Sequence, residues 1–146
     1  MGTRCVQVYT VRFLPGQELK SGLEHFVKQR QLQAAFIMTC VGSVQSATLR
    51  FATPAGENTS KTEMVKSFDS ENFEICSLVG TLSPMGSHLH IVLGRADGSV
   101  VAGHVVGNVT VQTTAEVVIG ESMAEIYNRK YDPFTCYNEL AVLKRE

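Results

Sequence analysis

The sequence has no excess of charge of either sign and no long apolar run. Its 146 residues include 13 lysines and arginines against 14 aspartates and glutamates, for a net charge of −1. A nearly neutral chain offers no overall electrostatic attraction for nucleic acid or for an anionic membrane surface. No apolar stretch approaches the roughly 20 residues that a membrane-spanning helix needs. We therefore expect no membrane partner and no direct binding to DNA.

The four cysteines show no paired spacing. Cys5, Cys40, Cys76 and Cys136 are far apart and form no C-x-x-C motif. They mostly fall in apolar runs, where a thiol behaves as a small buried hydrophobe. The N-terminal region also lacks the apolar core of a secretory signal. Reduced thiols then predict a cytoplasmic location, with a nuclear one as the alternative, and no secretion.

Motifs for covalent catalysis and for nucleotide binding are absent as well. Ser87 precedes His88, but neighbours on a strand point to opposite faces and so do not form a catalytic dyad. The glycines are scattered at strand ends and do not form a phosphate-binding loop. Aromatic residues make up 8% of the chain and are not interleaved with basic ones, which disfavours a platform for single-stranded nucleic acid. The histidines are the remaining candidates for chemistry.

The hydrophobic pattern predicts a single α+β domain over residues 1–146. One amphipathic helix is predicted over 17–31, where Leu19, Leu23, Phe26 and Val27 fall on one stripe. Many short strands with one main helix and only short flanking helices favour a largely antiparallel sheet. We expect the last two strands to complete that sheet. The predicted strands cover 5–13, 34–41, 44–52, 64–68, 73–82, 88–94, 100–106, 108–119, 123–127 and 138–143.

Three of the four histidines fall on one predicted β-hairpin. His88 and His90 flank Leu89 on its first strand, and His104 lies on the second. Directly opposed residues of paired strands have Cβ atoms about 4.5–5.5 Å apart. If all three rings point to one face, their nitrogens can bind one metal ion and leave a fourth position open. Alternatively, these histidines cap a half-buried sheet face with hydrogen bonds or line a subunit interface.

The length of the hairpin turn decides whether the three rings share a face. A two-residue turn at Asp97-Gly98 places His104 on the opposite face from His90. A three-residue turn, with Gly98 left-handed in a G1 bulge, sets His90 directly opposite His104. Both turns are compatible with the sequence, and only the second assembles a metal site.

The ligand set indicates which metal and which chemistry such a site would support. Three neutral imidazoles favour zinc, although iron, nickel and copper accept the same ligands. A three-histidine ion with bound water could serve a metal-dependent enzyme of hydrolase or lyase type. Glu116, on the polar face of the strand after the hairpin, is the candidate general base or partner of a metal ligand. The alternative for Glu116 is a hydrogen-bonded or subunit-bridging carboxylate.

Four motifs, in order along most of the chain, resemble the plant and prokaryote conserved (PPC) domain, a family of unknown function. The first is a Phe-Glu-Ile strand, the second a histidine hairpin, the third the strand that follows it, and the fourth a C-terminal segment. The Phe-Glu-Ile strand covers 73–78, and the hairpin includes His88-Leu89-His90, Asp97-Gly98 and Gly103-His104. The strand that follows covers 113–119, and the C-terminal segment includes Tyr131-Asp132-Pro133 and Glu139-Leu140.

The resemblance implies a compact α+β domain that assembles as a homotrimer and holds a metal ion at the histidine hairpin. In plant members the domain contacts transcription factors and is joined to separate AT-hook motifs that bind DNA. This chain has no Arg-Gly-Arg-Pro segment, so it resembles a stand-alone member without an AT-hook. Two departures concern Glu71-Asn72, where plant members often have Gly-Arg, and 134–137, where a Glu-Thr-Gly turn is common.

Taken together, these observations predict a homotrimeric binding or scaffold module that holds a metal, with zinc favoured, at His88, His90 and His104. Further protein partners are compatible with this prediction. The alternative is a metal-dependent enzyme that uses the same three histidines.

Overall fold

The computed structural model describes residues 5–54 and 64–146, and these form one α-helix and seven β-strands. All strand pairings among these residues are antiparallel. Most of the described residues lie in strands, so the fold is mostly β and fits the α+β prediction only loosely. The predicted short flanking helices do not occur in this part of the chain. The elements are β1 Val6–Phe13, α1 Leu19–Gln29, β2 Ala35–Arg50, β3 Val65–Ser83, β4 Gly86–Gly94, β5 Val100–Ser122, β6 Glu125–Asp132 and β7 Tyr137–Lys144.

The main sheet closes on itself through the longest strand, β5. Its strand order is β1-β5-β2-β3-β4, and β4 also pairs with β5. The first residues of β5 pair with β4, whereas the later ones pair with β2 on one side and β1 on the other. This closure gives the sheet an inner face, which holds the core, and an outer face.

Three strands are longer than the sequence pattern predicts. β2, β3 and β5 each join two segments that we expected to be separate strands. In β3 the residues between the predicted strands 64–68 and 73–82 form an irregularity, where Ser70 has φ of 56° and the register against β2 shifts. Asn108 has a similar φ of 53° within β5. Turn-forming residues bend these strands without ending them, because both flanking segments keep their neighbouring strands.

Apolar residues of the helix and of the inner sheet face form one core. Leu19, Leu23 and Val27 of α1 are buried, as the amphipathic stripe predicts, and Phe26 packs partly against them. Glu18 caps the helix, since its carboxylate accepts hydrogen bonds from the backbone N–H groups of Lys20 and Ser21. None of the helical structure described is long and apolar enough to cross a membrane.

The last two strands, β6 and β7, form a separate two-stranded sheet, so the prediction that they complete the main sheet is wrong. The end of β5 that leads into β6 already pairs with β1 on one side and β2 on the other, so β6 finds no free edge beside it. Two arginines attach the hairpin instead. Arg129 donates from Nη2 to Thr81 Oγ1 at 2.8 Å, and Arg145 donates from Nη2 to Glu121 Oε1 at 3.3 Å.

The cysteines are less buried than their apolar surroundings predict. Only Cys40 lies in the core, where burial raises its pKa to about 12. Cys5, Cys76 and Cys136 are exposed, so the prediction of mostly buried thiols is wrong. The reason is the two-residue period of a strand, which turns Cys76 outward because its neighbour Ile75 faces the core.

Candidate metal centre

The hairpin turn between β4 and β5 is the three-residue type. Arg95 N donates to Ser99 O at 2.8 Å, and Gly98 N donates to Arg95 O at 3.0 Å. Gly98 has φ of +82°, the left-handed conformation that a G1 bulge needs. The other alternative, a two-residue turn, does not occur. As a result His90 lies directly opposite His104.

All three histidines of the hairpin lie on the outer face of the sheet. Leu89, Ile91 and Leu93 alternate with them on β4 and fill the core. Among the residues described, His88, His90 and His104 form the one group of ligand atoms suited to a metal ion, and these atoms all lie within 4.8 Å of one another. The Nε2 atoms of His88 and His90 are 3.1 Å apart.

The spacing of these nitrogens fits a single ion. Two nitrogens that bind one zinc ion at about 2.0–2.1 Å and are 3.1 Å apart subtend an angle of about 100°, close to tetrahedral. Two such ligands can be at most about 4.2 Å apart. Three nitrogens bound tetrahedrally to one zinc ion are about 3.4 Å apart, so drawing ligand atoms up to 4.8 Å apart onto one ion needs shifts on the order of 1 Å, which side-chain rotations supply.

The electrostatic surroundings favour the neutral forms of His88 and His104, which are the forms that bind a metal. Burial, and then the charge of Arg50, lower the pKa of His104 from 6.5 to about 4. Burial, His90 and Arg129 lower the pKa of His88, while Glu139 acts in the opposite direction. Among the described residues, His104 Nδ1 is the buried side-chain atom that has no hydrogen-bond partner. A metal ion at the cluster would accept the lone pairs of the unprotonated imidazole nitrogens.

Two strand pairings place arginines beside the cluster. Arg50 lies directly opposite His104 in the β2–β5 pairing, and its guanidinium stacks 4.9 Å from the ring centroid of Tyr137. Thr81, which binds Arg129, lies directly opposite His88. Both arginines border a cavity of about 510 Å³ between the main sheet and the β6–β7 hairpin. Its lining includes Arg50, Ser87, His88, His104, Arg129, Tyr137 and Glu139.

Glu116 does not join this cluster. It is exposed, and it pairs with Arg12 of β1 and Val41 of β2. It lies twelve residues beyond His104 on the same strand, which corresponds to roughly 40 Å of extended chain. The carboxylate that borders the cavity beside His88 is Glu139. Of these two carboxylates, Glu139 and not Glu116 therefore lies near the histidines in this chain.

Sequence reasoning missed Arg50, Arg129 and Glu139 as residues of the site. Each lies on a strand that is predicted at least in part, but none belongs to a motif with a known ligand or catalytic spacing. Glu139 falls within the C-terminal segment of the family resemblance, which signals its position but not its proximity to the histidines. Only the packing of β6–β7 over the outer face brings Arg129 and Glu139 to the cluster.

Comparison with known sequences supports one family. The sequence model described as the Plants and Prokaryotes Conserved (PCC) domain matches residues 2–123. The bifunctional protein GlmU of Synechococcus sp. strain JA-3-3Ab is 39% identical over 142 residues, which cover 97% of this chain and 21% of that protein. The chain thus spans about a fifth of the length of this relative.

Solved structures share the fold along nearly the whole chain. A hypothetical protein from Salmonella enterica is 37% identical, with a TM-score of 0.85 and coverage of 99% of both chains. A protein of Archaeoglobus fulgidus that is described as metal-containing is 24% identical, with a TM-score of 0.75 and coverage of 92% of this chain and 93% of its own. The likeness to the Archaeoglobus protein, at this level of identity, establishes a shared fold.

Proposed function

This chain belongs to the Plants and Prokaryotes Conserved (PCC) domain family, also written PPC, and we propose that it is a metal-binding module. One divalent transition metal would be held by His88, His90 and His104. The observation that carries this proposal is the convergence of three imidazoles, with ligand atoms within 4.8 Å of one another, on one face of the hairpin. Neutral nitrogen ligands and near-tetrahedral spacing favour zinc. The Archaeoglobus protein of the same fold is described as metal-containing.

The site has the character of an open ligand-binding centre. A closed structural zinc site uses four protein ligands, whereas three leave a position for an exogenous group. That position would be beside the 510 Å³ cavity, because His88 and His104 both border it. The module would then bind a small molecule or a partner group through the ion and the surrounding side chains.

A metal-dependent enzyme of hydrolase or lyase type is the second candidate, and the charged lining of the cavity favours it. A divalent ion in such a site can polarise a carbonyl or phosphoryl oxygen and lower the pKa of bound water. Glu139 borders both this cavity and a second one of about 310 Å³ that reaches His88 and His90. A carboxylate there could accept a proton from a bound substrate. Glu139→Gln should then abolish turnover, whereas Glu116→Gln should not.

We also propose a homotrimer, as the family resemblance implies. Several large apolar side chains are exposed on the outer faces of the strands, including Met38, Val41 and Val79, each more than half exposed. Exposed apolar surface is typical of association sites where it forms a patch. Sedimentation should give a mass three times that of the 16.0 kDa chain. A monomer mass would overturn this part of the proposal and leave the metal site untouched.

A reducing compartment, cytoplasmic or nuclear, is the location that we infer from the thiols. Cys76 is exposed on β3, and exposed thiols persist where glutathione and thioredoxin keep them reduced. Thiol labelling of protein taken directly from lysed cells tests this, since an oxidising compartment would leave Cys76 blocked.

Elemental analysis of tag-free protein tests the metal site. We expect close to one metal per chain in the natural sequence and at least a tenfold loss of affinity in the alanine variants of His88, His90 and His104, since even partners of metal ligands are worth 10–100-fold. His25→Ala is the matched control, because His25 is exposed on α1. Each variant should remain folded by circular dichroism.

Two results would contradict the proposal. One is protein that holds no metal even after zinc is added back. The other is unfolding of the hairpin variants, which would show that these histidines are structural groups of the sheet.

A further inference from the structure

The cavity beside the histidines has an excess of positive charge. Two guanidinium groups, those of Arg50 and Arg129, border it against one carboxylate, that of Glu139. A divalent ion at the histidines would increase that excess. The volume of about 510 Å³ is within the range of pockets that bind small molecules. The chain as a whole has a charge of −1, so this positive charge is a local feature of the cavity.

Both arginines are held in place by contacts that keep them at the cavity. Arg50 stacks on Tyr137 and starts from the strand position opposite His104. Arg129 uses one N–H group to bind Thr81 Oγ1, which leaves most of its five donors for other acceptors. Burial lowers the pKa of Arg129, with Glu139 acting against this, so its charge is partly desolvated. An arginine that is oriented and partly desolvated binds an oxyanion more strongly than a solvated one does.

The two positive groups border the cavity together with two of the proposed metal ligands. His88 and His104 line the same space as Arg50 and Arg129. Both arginines also act electrostatically on His88, which places their charges close to its ring. A small molecule in the cavity can therefore contact the guanidinium groups with one end and reach the open metal position with another polar atom.

We propose that this cavity binds a small molecule with a carboxylate or phosphate group, and that Arg50 and Arg129 recognise that group beside the metal. This inference rests on the proposed metal site and names the class of ligand that the site would take. Arginine presents a planar fork of N–H donors that matches both oxyanions. Glu139, on the same cavity wall, would select against ligands with negative charge at a second position near it.

The test compares oxyanions with a neutral analogue on zinc-loaded protein. Lactate, inorganic phosphate and the uncharged lactamide are each titrated by calorimetry into the natural sequence, Arg50→Gln, Arg129→Gln and the control Arg12→Gln. Arg12 is exposed on β1 and donates to Thr114 away from the cavity, so its replacement removes the same charge without changing the site. Zinc content and thermal unfolding are measured for every variant.

We expect lactate or phosphate to bind the natural sequence and Arg12→Gln with equal affinity, and lactamide to bind at least tenfold more weakly. Arg50→Gln and Arg129→Gln should each weaken oxyanion binding by about tenfold or more while the zinc content stays the same. Tighter binding of lactate would favour a carboxylate ligand, and tighter binding of phosphate would favour a phosphate ligand.

Several outcomes would overturn the inference while the metal site stands. One is zinc-loaded protein that binds neither oxyanion, and another is equal oxyanion affinity in all four proteins. A third is loss of zinc from Arg50→Gln or Arg129→Gln, which would show that the arginines support the histidines instead of binding a ligand. Protein without any zinc would remove the proposed function, and this inference with it. The zinc measurement therefore separates the two failures.

Discussion

The α-carbon of Gly80 faces the carbonyl oxygen of His88 so closely that a side-chain Cβ at position 80 would overlap it. Gly80 is opposite Leu89 in the β3–β4 pairing and has φ of +148°. Glycine at this position lets the two strands approach each other. The position of the first histidine therefore depends on a residue that is itself no metal ligand.

Gly80→Ala should weaken metal binding although it leaves all three histidines in the sequence. The added methyl group forces β4 away from β3 at His88, and the strained backbone costs about 1–3 kcal/mol of stability. Gly107→Ala is the control, because a Cβ there meets nothing within 4 Å. Zinc competition titrations and thermal unfolding measure both effects. Equal zinc affinity in the two variants would show that the close approach does not position His88.

Deletion of Gly98 should abolish metal binding. The three-residue turn would become a two-residue turn, and a one-residue change of register sends His104 to the opposite face of the sheet. Gly98→Ala is the matched control, since it strains the left-handed position but keeps the number of turn residues. It should lose about 1 kcal/mol of stability and retain zinc. Retention of zinc by the deletion variant would contradict the role of the turn.

The stability of the metal-free protein should fall as the pH decreases from about 6.5 toward 4. The pKa of His104 is about 4 in the folded chain against an ordinary value of 6.5, through burial, Arg50, His88, His90 and Lys20. Between these values the unfolded chain binds the proton and the folded chain does not, so protonation favours unfolding. Above pH 6.5 the contribution is fully present.

Urea unfolding of chelator-treated protein at a series of pH values measures this dependence. His88, whose pKa is also lowered, acts in the same direction. His104→Gln should flatten the slope of stability against pH in this range. An unchanged slope in that variant would assign the acid sensitivity to other groups.

Glu121→Ala should destabilise the fold by about 2–3 kcal/mol, because it removes the acceptor of two buried or partly buried donors. Glu121 is 3% exposed and accepts from Gln33 N at 2.9 Å and from Arg145 Nη2 at 3.3 Å. Glu71→Ala removes a partly exposed ion pair with Arg95 and should cost less than about 1 kcal/mol. Urea midpoints compare the two, and equal losses would contradict the structural role of Glu121.

The local features of the site could be predicted from the sequence to a large extent. Alternation along 88–94 indicates a strand with His88 and His90 on one face, and Asp97-Gly98 restricts the turn to two types. The amphipathic stripe places Leu19, Leu23 and Val27 in the core, as observed. These features depend on neighbouring residues and on the period of a strand or helix, which the order of side chains specifies directly.

The sequence by itself determined the histidine hairpin, the helix and the largely antiparallel character of the sheet, since each follows from local periodicity and turn chemistry. Only the tertiary structure decided between the two turns, joined the predicted strands into β2, β3 and β5, and separated β6–β7 from the main sheet. It also brought Arg50, Arg129 and Glu139 to the histidines and kept Glu116 away. Contacts between segments distant in the chain depend on how the closed sheet and its covering hairpin pack, and no local pattern records that packing.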